Sequence, residues 1–438
     1  MLYAFIKSIV SLGVNYYYKE IQIVNKEVLD ELEGPAIIIA NHPNTLMDAW
    51  MVGYANKRRV HFMAKATFFN TKFKRKVLSV LGLIPVNRKS DGAVKGVNNK
   101  DSFSACYELL ESGGVLGVFP EGTSFLERKL RELKSGTARI ALEAESRKKG
   151  ALKIKVIPIG LNYISADSYR GKVLIHVGKP IQIGDLWKEY EQNQGIAAKK
   201  LTEKFRVELS RVFVNMSDKA RENTIEKLRY LFVTKYTIKN KVDHEMEFMK
   251  LVQERMDEYS ATSPWKVEQI EHKTDELIAS LQTLNIKADF LDRPYRSGLF
   301  FRQVIQSWLF ILLTVPLFLY GFIHHFIPYA LIGWLIPKLT KDVEYHAPLA
   351  ILLGLVLYPL NYIGFFFISL TFFQLDWLQL ALYIVTLPIF GMFAHFYMRF
   401  IKHLNSKLIF NRFAKKRKSN FIALKENREA LRRIIFES

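Results

Sequence analysis

Two kinds of hydrophobic pattern divide the chain. In its first part, short apolar runs alternate with amphipathic stretches, which is typical of buried strands connected by helices. The predicted strands are Ala36 to Ala40, Val60 to Met63, Leu83 to Val86, Val115 to Phe119, Lys155 to Leu161 and Val173 to Val177. The predicted helices between them are Lys72 to Val80, Ser102 to Leu110 and Gly136 to Glu145. The pattern therefore predicts an α/β sandwich with a largely buried sheet over residues 21–185.

The segments on either side of this sandwich lack the strand pattern. Residues 1–20 carry apolar side chains at helical spacing, interrupted by Lys7, and predict an amphipathic helix that lies at a membrane interface. Residues 186–300 are charged and predict a helical region, for which a connecting role is the simplest interpretation. Its clearest helices are Glu203 to Val214, Glu222 to Tyr236 and Val242 to Tyr259.

Residues 301–400 are strongly apolar. Leu349 to Phe373 and Leu378 to Met398 are each long enough to cross a bilayer, which needs about 20 residues. Val304 to Ile336 is long for one straight span and contains prolines, so we expect a re-entrant hairpin or two short helices there. Basic residues flank both ends of this region. By the positive-inside tendency, the number of crossings is predicted to be even, and the catalytic domain and the basic tail, 401–438, cytoplasmic.

Polar residues follow the first of the buried strands. Asn41 and His42 come directly after Ala40, and Asp48 lies six positions beyond His42. A histidine oriented by a carboxylate can remove the proton from a hydroxyl near neutral pH. Thr45 and Asp48 also fit the capping-box pattern of a helix start. The alternative interpretation is that Asp48 stabilises this helix start, and that structural role is compatible with a catalytic one.

A second polar block, Phe119-Pro120-Glu121-Gly122-Thr123, follows another buried strand. Open α/β sheets usually place their ligands at the carboxyl ends of their strands. The two blocks therefore predict a single site.

With two further blocks, Gly82 to Arg88 and Val156 to Gly160, the chain resembles the glycerolipid (PlsC-like) acyltransferase superfamily. The likeness covers roughly residues 20–185 and implies an acyltransferase-type αβ sandwich. Five residues separate His42 from Asp48, where the common family pattern has four, and Ser124 replaces the arginine that often follows Glu-Gly-Thr. These departures and the segment Leu133-Lys134-Ser135-Gly136 make the sequence pattern similar to that of the fungal-type glycerol-3-phosphate and dihydroxyacetone-phosphate acyltransferases.

The resemblance implies that His42 is the general base on the acceptor hydroxyl and that Asp48 holds its imidazole. Backbone N–H groups near Gly122 and Thr123 are candidates for stabilising the oxyanion. The residues predicted to bind substrate are Asn41, Arg88, Glu121, Gly122, Thr123, Ser124 and Lys134. Arg88 suits bidentate binding of a phosphate, and the alternative is that it is an ordinary surface arginine. For Glu121, the alternative is a carboxylate with a structural role only. For the missing arginine, the replacement candidates are Arg128, Lys129, Arg131 and Lys134.

The formal net charge of +21 limits the classes of ligand that the protein is expected to bind. Basic residues crowd around the predicted site and after the last apolar segment, and no nucleic-acid motif is present, so nucleic acid is the least favoured ligand. The basic residues near the site are Lys72, Lys74, Arg75, Lys76, Arg88, Lys89 and Lys95. They favour the binding of phosphorylated acceptors, and of the phosphates of coenzyme A or an acidic acyl carrier protein. The alternative is that they form an ordinary solvated face. Cys106 is the only cysteine, which excludes an intramolecular disulfide, and we expect no metal site.

The predicted function is a membrane-bound O-acyltransferase of phospholipid biosynthesis. It would move an acyl chain from acyl-CoA or acyl carrier protein to glycerol 3-phosphate or 1-acylglycerol 3-phosphate, with membrane lipids as partners and without a cofactor. One alternative is an acyltransferase for another lysophospholipid or lipid alcohol. A rival of another class is a non-catalytic membrane scaffold or lipid-binding protein, which the longer spacing between His42 and Asp48 supports.

Overall fold

The computed structural model describes residues 2–87, 99–164, 166, 168–234, 242–292, 297–416 and 418–437. They form two compact units. The first unit is Met1–Lys219 with the short segment Asp342–Pro348, and the second is Ala220–Lys341 with Leu349–Ser438.

An eight-stranded sheet forms the centre of the first unit. Its strands are β1 (Glu20–Val24), β2 (Ala36–Ala40), β3 (Val60–Lys65), β4 (Leu83–Val86), β5 (Val115–Val118), β6 (Lys155–Ile164), β7 (Lys172–Val177) and β8 (Ile181–Gln182). Their order is β1-β7-β6-β2-β5-β3-β4, and β8 also pairs with β6. From β6 to β4 all neighbouring strands run parallel, so their carboxyl ends open at one edge. β7 runs antiparallel to β6 and parallel to β1.

Helices cover this sheet. They are α1 (Leu2–Tyr17), α2 (Glu27–Asp30), α3 (Thr45–Ala55), α4 (Lys72–Val80), α5 (Asn99–Glu111), α6 (Gly136–Arg147), α7 (Leu186–Gln192) and α8 (Gln194–Val212), with a 3₁₀ helix at Ala66–Phe69. All five residues of β2 are buried, as its uninterrupted apolar run predicts for a central parallel strand. Ile37 and Ile39 share one core cluster with Leu201 and Phe205 of α8, so the compact unit continues past residue 185 to Lys219.

The predicted α/β class is confirmed, and every predicted strand and helix between residues 36 and 177 is present. Two strands were not predicted. β1 is half-buried along its whole length, and β8 has only two residues, so neither produces a distinct hydrophobic pattern.

The second unit is helical. Its helices are α9 (Lys219–Phe232), α10 (Val242–Thr262), α11 (Pro264–Thr283), α12 (Ser297–Leu339), α13 (His346–Phe372), α14 (Trp377–Lys416) and α15 (Lys418–Phe436). The helical middle region and the apolar C-terminal helices agree with the predicted architecture.

Among the residues that the structure describes, three helices are long and apolar enough to cross a membrane: Phe300–Leu339, Val343–Phe372 and Trp377–Arg412. The expected hairpin or pair of short helices is wrong, because α12 is one continuous helix of 43 residues that includes Pro316, Pro328 and Pro337. A proline removes one backbone hydrogen bond and can kink a helix, but apolar helices accommodate it where neighbouring helices pack around the bend. The parity of crossings and the side of the tail stay predictions.

One structural prediction uses Gly160 on β6. A Cβ atom at this position would overlap the backbone carbonyl of Val212 at the end of α8. Gly160→Ala should therefore destabilise the protein by about 1–3 kcal/mol. Gly53→Ala in α3 is the matched control, because a Cβ there meets no atom within 4 Å, and it should stabilise by roughly 0.5–1 kcal/mol. Thermal unfolding in detergent measures both, and equal midpoints for the two variants would contradict this packing.

Candidate active site

The site begins where β2 ends. Asn41 follows Ala40, and its side-chain amide continues the pairing between β2 and β6 beyond their last backbone bond. Asn41 Nδ2 donates to the carbonyl of Leu161 at 3.0 Å, and the N–H of Leu161 donates to Asn41 Oδ1 at 2.7 Å. Asn41 is buried, so these two bonds fix the backbone from which His42 projects. This structural task stands beside its predicted role in substrate binding.

His42 and Asp48 are in direct contact. His42 Nδ1 lies 2.8 Å from Asp48 Oδ2, and the carboxylate side chain is fully buried while 13% of the histidine side chain is exposed. Asn44 occupies the N-cap position of α3, so the additional residue lies in the loop and Asp48 falls in the first helical turn. The N–H of Asn44 also donates to Asp48 Oδ2 at 2.6 Å. The carboxylate therefore stabilises the helix start and contacts the histidine.

This contact selects the tautomer of His42. An ionised carboxylate only accepts hydrogen bonds, so Nδ1 of a neutral His42 carries the proton and Nε2 keeps its lone pair. The imidazole also stacks on Phe119, with ring centroids 4.1 Å apart and an interplanar angle of 8°. Phe119 follows β5, so the block from Phe119 to Thr123 helps to hold the ring that the block from Asn41 to Asp48 supplies.

The Glu121 carboxylate accepts hydrogen bonds from two backbone N–H groups, one of them in the loop that carries His42. Its Oε1 accepts from the N–H of His42 at 3.0 Å, and its Oε2 accepts from the N–H of Arg131 at 3.3 Å. Burial raises the pKa of the Glu121 carboxyl, and these two donors partly oppose that shift. These contacts agree with the alternative interpretation that Glu121 is a structural carboxylate. Its role in substrate binding stays a prediction.

Gly122 has a backbone conformation that favours glycine, with φ +77°. A Cβ atom there would lie 2.6 Å from Lys134 Nζ, so the lysine side chain packs directly over the glycine. The N–H of Gly122 donates to the carbonyl of Phe119 at 3.0 Å. Of the two amides proposed for the oxyanion, that of Thr123 is thus the better candidate. Thr123 and Ser124 follow as half-buried loop residues.

The replacement candidates for the missing arginine differ in their contacts. Arg128 Nη2 donates to the carbonyl of Tyr163 at 2.5 Å, which gives Arg128 a structural task. The Arg131 guanidinium lies over the Phe125 ring, 3.3 Å from its centroid, and pairs with Glu127. Lys129 is exposed. Lys134 is exposed and lies against Gly122, so it is the strongest candidate for a phosphate contact.

Tyr163 belongs to the site, although the sequence analysis did not select it. Its hydroxyl donates to Asp48 Oδ1 at 2.7 Å, so each oxygen of the buried carboxylate has a partner. Burial, followed by the charge of Asp48, raises the pKa of Tyr163 well above its ordinary value, and the hydroxyl stays a donor at neutral pH. The one available signal was a polar pair, Asn162-Tyr163, near the end of an apolar strand.

Thr45 makes a second contact that the sequence did not indicate. It has φ +42°, an unusual value for a β-branched residue, and its hydroxyl donates to the carbonyl of Glu344 at 3.0 Å. Asp342–Pro348 therefore lies against the start of α3 within the first unit, next to the dyad.

Within the described ranges, no group of three or more His, Cys, Asp or Glu side chains could hold a metal ion. The expectation that the protein needs no metal stays a prediction.

Part of the chain is similar to known proteins. Residues 20–162 match the family described as Acyltransferase. Residues 20–162 form an acyltransferase-family domain. The resemblance stated from the motifs is thereby confirmed for this domain.

Three curated relatives match parts of the chain. Glycerol-3-phosphate O-acyltransferases 2 and 1 of Saccharomyces cerevisiae are 28% and 31% identical to it over 137 residues, which is 31% and 30% of this chain. The chain covers 18% of the length of each. The protein described as 1-acyl-sn-glycerol-3-phosphate acyltransferase LPAT1, chloroplastic, of Arabidopsis thaliana is 26% identical over 178 residues, covering 39% of this chain and 46% of its own. Among solved structures, the 1-acyl-sn-glycerophosphate acyltransferase PlsC of Thermotoga maritima matches with 18% identity and a TM-score of 0.33, covering 47% of this chain and 77% of its own.

The four motif blocks of the acyltransferase-family domain are not all described to their ends. The block from Gly82 to Arg88 is described up to Asn87, so the predicted phosphate contact of Arg88 lies outside the described residues, as do Lys89 and Lys95. The block from Val156 to Gly160 lies on β6, where it pairs with β2. From the same strand, Leu161 fixes Asn41 and Tyr163 bonds Asp48.

Proposed function

We propose that this chain is a membrane-bound O-acyltransferase that moves a fatty acyl chain from a thioester to a hydroxyl of a glycerol-phosphate acceptor. The observation that carries the proposal is the 2.8 Å contact between His42 Nδ1 and the buried Asp48 carboxylate, which leaves Nε2 as a base. The family match and the names of the relatives support this reaction class.

The proposed mechanism is a direct transfer. Nε2 of His42 removes the proton of the acceptor hydroxyl while Asp48 stabilises the resulting imidazolium. The alkoxide oxygen attacks the thioester carbonyl, and the tetrahedral intermediate collapses with cleavage of the carbon–sulfur bond. The departing thiolate takes the proton from the imidazolium. The ester and a free thiol are the products, so the reaction needs neither an acyl-enzyme nor a cofactor.

The dyad supplies only part of the rate enhancement. General-base assistance typically contributes about 10²–10⁴-fold. The remainder would come from holding the acceptor next to His42 and from backbone donors to the oxyanion, with the Thr123 amide as the proposed donor.

The acceptor is proposed to be glycerol 3-phosphate or 1-acylglycerol 3-phosphate, and the donor acyl-CoA or acyl carrier protein. Lys134 would contact the acceptor phosphate, since its ammonium lies against Gly122 beside the Glu121 backbone contacts. Ser124 in place of arginine keeps other lysophospholipids and lipid alcohols as alternative acceptors.

The membrane placement is proposed from the apolar helices. Among the described residues, three helices are long enough to span a bilayer, which fits a membrane enzyme of phospholipid biosynthesis. The acyltransferase-family domain and the basic tail are both proposed to lie on the cytoplasmic side, which requires an even number of crossings, so not all three helices would cross the bilayer. The rival is a non-catalytic scaffold or lipid-binding protein. The longer spacing between His42 and Asp48 was the feature that supported the scaffold hypothesis. Because the two side chains are nevertheless in contact, the intact dyad favours an enzyme.

The direct test is thiol release by the full-length protein supplied with acyl-CoA and glycerol 3-phosphate. His42→Ala should reduce release by at least about 10²-fold, because the base is lost. His272→Ala is the matched control, since His272 is exposed on α11, and it should retain activity. Equal release by wild type and His42→Ala would remove His42 from the mechanism. No release by the wild-type protein with any acceptor or carrier would favour the scaffold.

Tyr163 gives a prediction that depends on pH. Tyr163→Phe removes one donor from Asp48, so the carboxylate attracts the imidazolium of His42 more strongly and holds its proton to higher pH. The acidic limb of the kcat/KM profile should therefore move to higher pH, and kcat should fall by about ten-fold, as for a lost hydrogen bond to a charged group. Tyr18→Phe is the control, because this buried tyrosine lies beside Tyr163 with ring centroids 6.1 Å apart. A lower kcat with an unmoved limb would indicate a packing role only.

Lys134 gives a test of acceptor binding. Lys134→Gln should raise KM for glycerol 3-phosphate by about ten-fold with a smaller change in KM for the acyl donor, because a charge-assisted hydrogen bond to a phosphate is lost. Lys129→Gln removes an exposed lysine from the same loop and should change neither constant. If the two variants behave alike, Lys134 is not the phosphate ligand.

A further inference from the structure

Helix α4 carries an apolar stripe whose two ends are exposed and whose middle residue, Val77, is half-buried. Phe73, Val77 and Val80 are spaced as i, i+4 and i+7, so they lie on one face of the helix. Phe73 is 78% exposed and Val80 is 40% exposed, and none of the nine residues of α4 is buried. An amphipathic helix of a globular domain normally turns its apolar face to the core. The exposed stripe therefore needs a partner.

The charge of α4 indicates what kind of partner it is. Lys72, Lys74 and Lys76 flank the stripe, Arg75 lies on the opposite face of the helix, and all four are exposed. The sequence has no acidic residue between Ala66 and Val86. Exposed aromatic and aliphatic side chains next to several cations are typical of helices that lie on an anionic membrane surface.

Neighbouring elements extend the same apolar surface. Phe68, in the 3₁₀ helix before α4, is 53% exposed. Arg59 connects α4 to α1, since its Nη2 donates to the carbonyl of Val80 at 2.6 Å and its guanidinium lies 5.0 Å from the centre of the Tyr3 ring. Along α1, exposed Leu2, Phe5 and Leu12 form a further apolar stripe.

We propose that α4, Phe68 and α1 form a docking surface through which the acyltransferase-family domain contacts bilayers rich in anionic phospholipid. Phe73 and Phe68 would enter the boundary between headgroups and acyl chains, while Lys72, Lys74 and Lys76 contact lipid phosphates. Each Lys or Arg near an anionic membrane surface strengthens binding about five-fold. This contact is separate from the membrane-spanning helices and does not depend on the proposed reaction. An acidic carrier protein is the competing partner for the same cations, but it would leave the exposed stripe unexplained.

The single cysteine makes the test specific. Cys106 is fully buried, and burial raises the pKa of its thiol to about 12, so it resists labelling in the folded protein. Phe73→Cys therefore offers one reactive thiol on the surface. Lys199→Cys, at an exposed position of α8, is the matched control. Each variant carries an environment-sensitive fluorophore and is reconstituted in full length, either in phosphatidylcholine vesicles or in an equimolar mixture of phosphatidylcholine and phosphatidylglycerol, with doxyl-labelled lipid as quencher.

The fluorophore at position 73 should shift to shorter wavelength and be quenched several-fold more in the anionic vesicles than the one at position 199. Replacing Lys72, Lys74 and Lys76 by Gln should weaken the quenching at 73. Equal quenching at 73 and 199 would overturn the proposal, and equal quenching at 73 in the two lipid mixtures would contradict the preference for anionic lipid. A fluorophore at 73 that responds to added acidic carrier protein and not to lipid would assign the surface to that protein instead.

Discussion

The buried carboxylate of Asp48 is the constraint on which the site depends. A charge without solvent contact is costly unless hydrogen bonds replace its lost hydration. Three donors do so here: the imidazole of His42, the N–H of Asn44 and the hydroxyl of Tyr163. These donors come from the loop after β2, the start of α3 and the end of β6, so satisfying one carboxylate requires all three elements to meet. The same requirement fixes which nitrogen of His42 keeps its lone pair.

Parts of this arrangement follow from local sequence, and those parts were predictable. The uninterrupted apolar run of β2 identifies a central strand, and the polar residues after it identify the site. Asp48 was recognised both as a helix-start residue and as the partner of His42, because a spacing of six residues permits both contacts. Tyr163 was not, since it lies 115 positions from Asp48 and meets it only because β6 pairs with β2. The contact between Thr45 and Glu344 spans 299 positions and has no local signal at all.

The helices of the second unit show the same limit in another form. Prolines at 316, 328 and 337 suggested a break, yet α12 is continuous. A single helix and a broken one differ in how the surroundings satisfy a few backbone groups, and these surroundings are not encoded near the prolines. On α4, by contrast, composition and structure together are informative: its sequence has an apolar stripe and a cluster of cations, and only the structure reveals that the stripe is exposed.

The central claim is that Asp48 holds neutral His42 with its proton on Nδ1 and a free lone pair on Nε2. Nitrogen NMR of the protein labelled with ¹⁵N-histidine measures this directly, with the signals of His42 assigned by their loss in His42→Gln. At neutral pH the account predicts a protonated Nδ1 and an unprotonated Nε2, and a loss of this preference in Asp48→Asn. A proton on Nε2 of the wild-type protein, or an Asp48→Asn spectrum unchanged at His42, would contradict it.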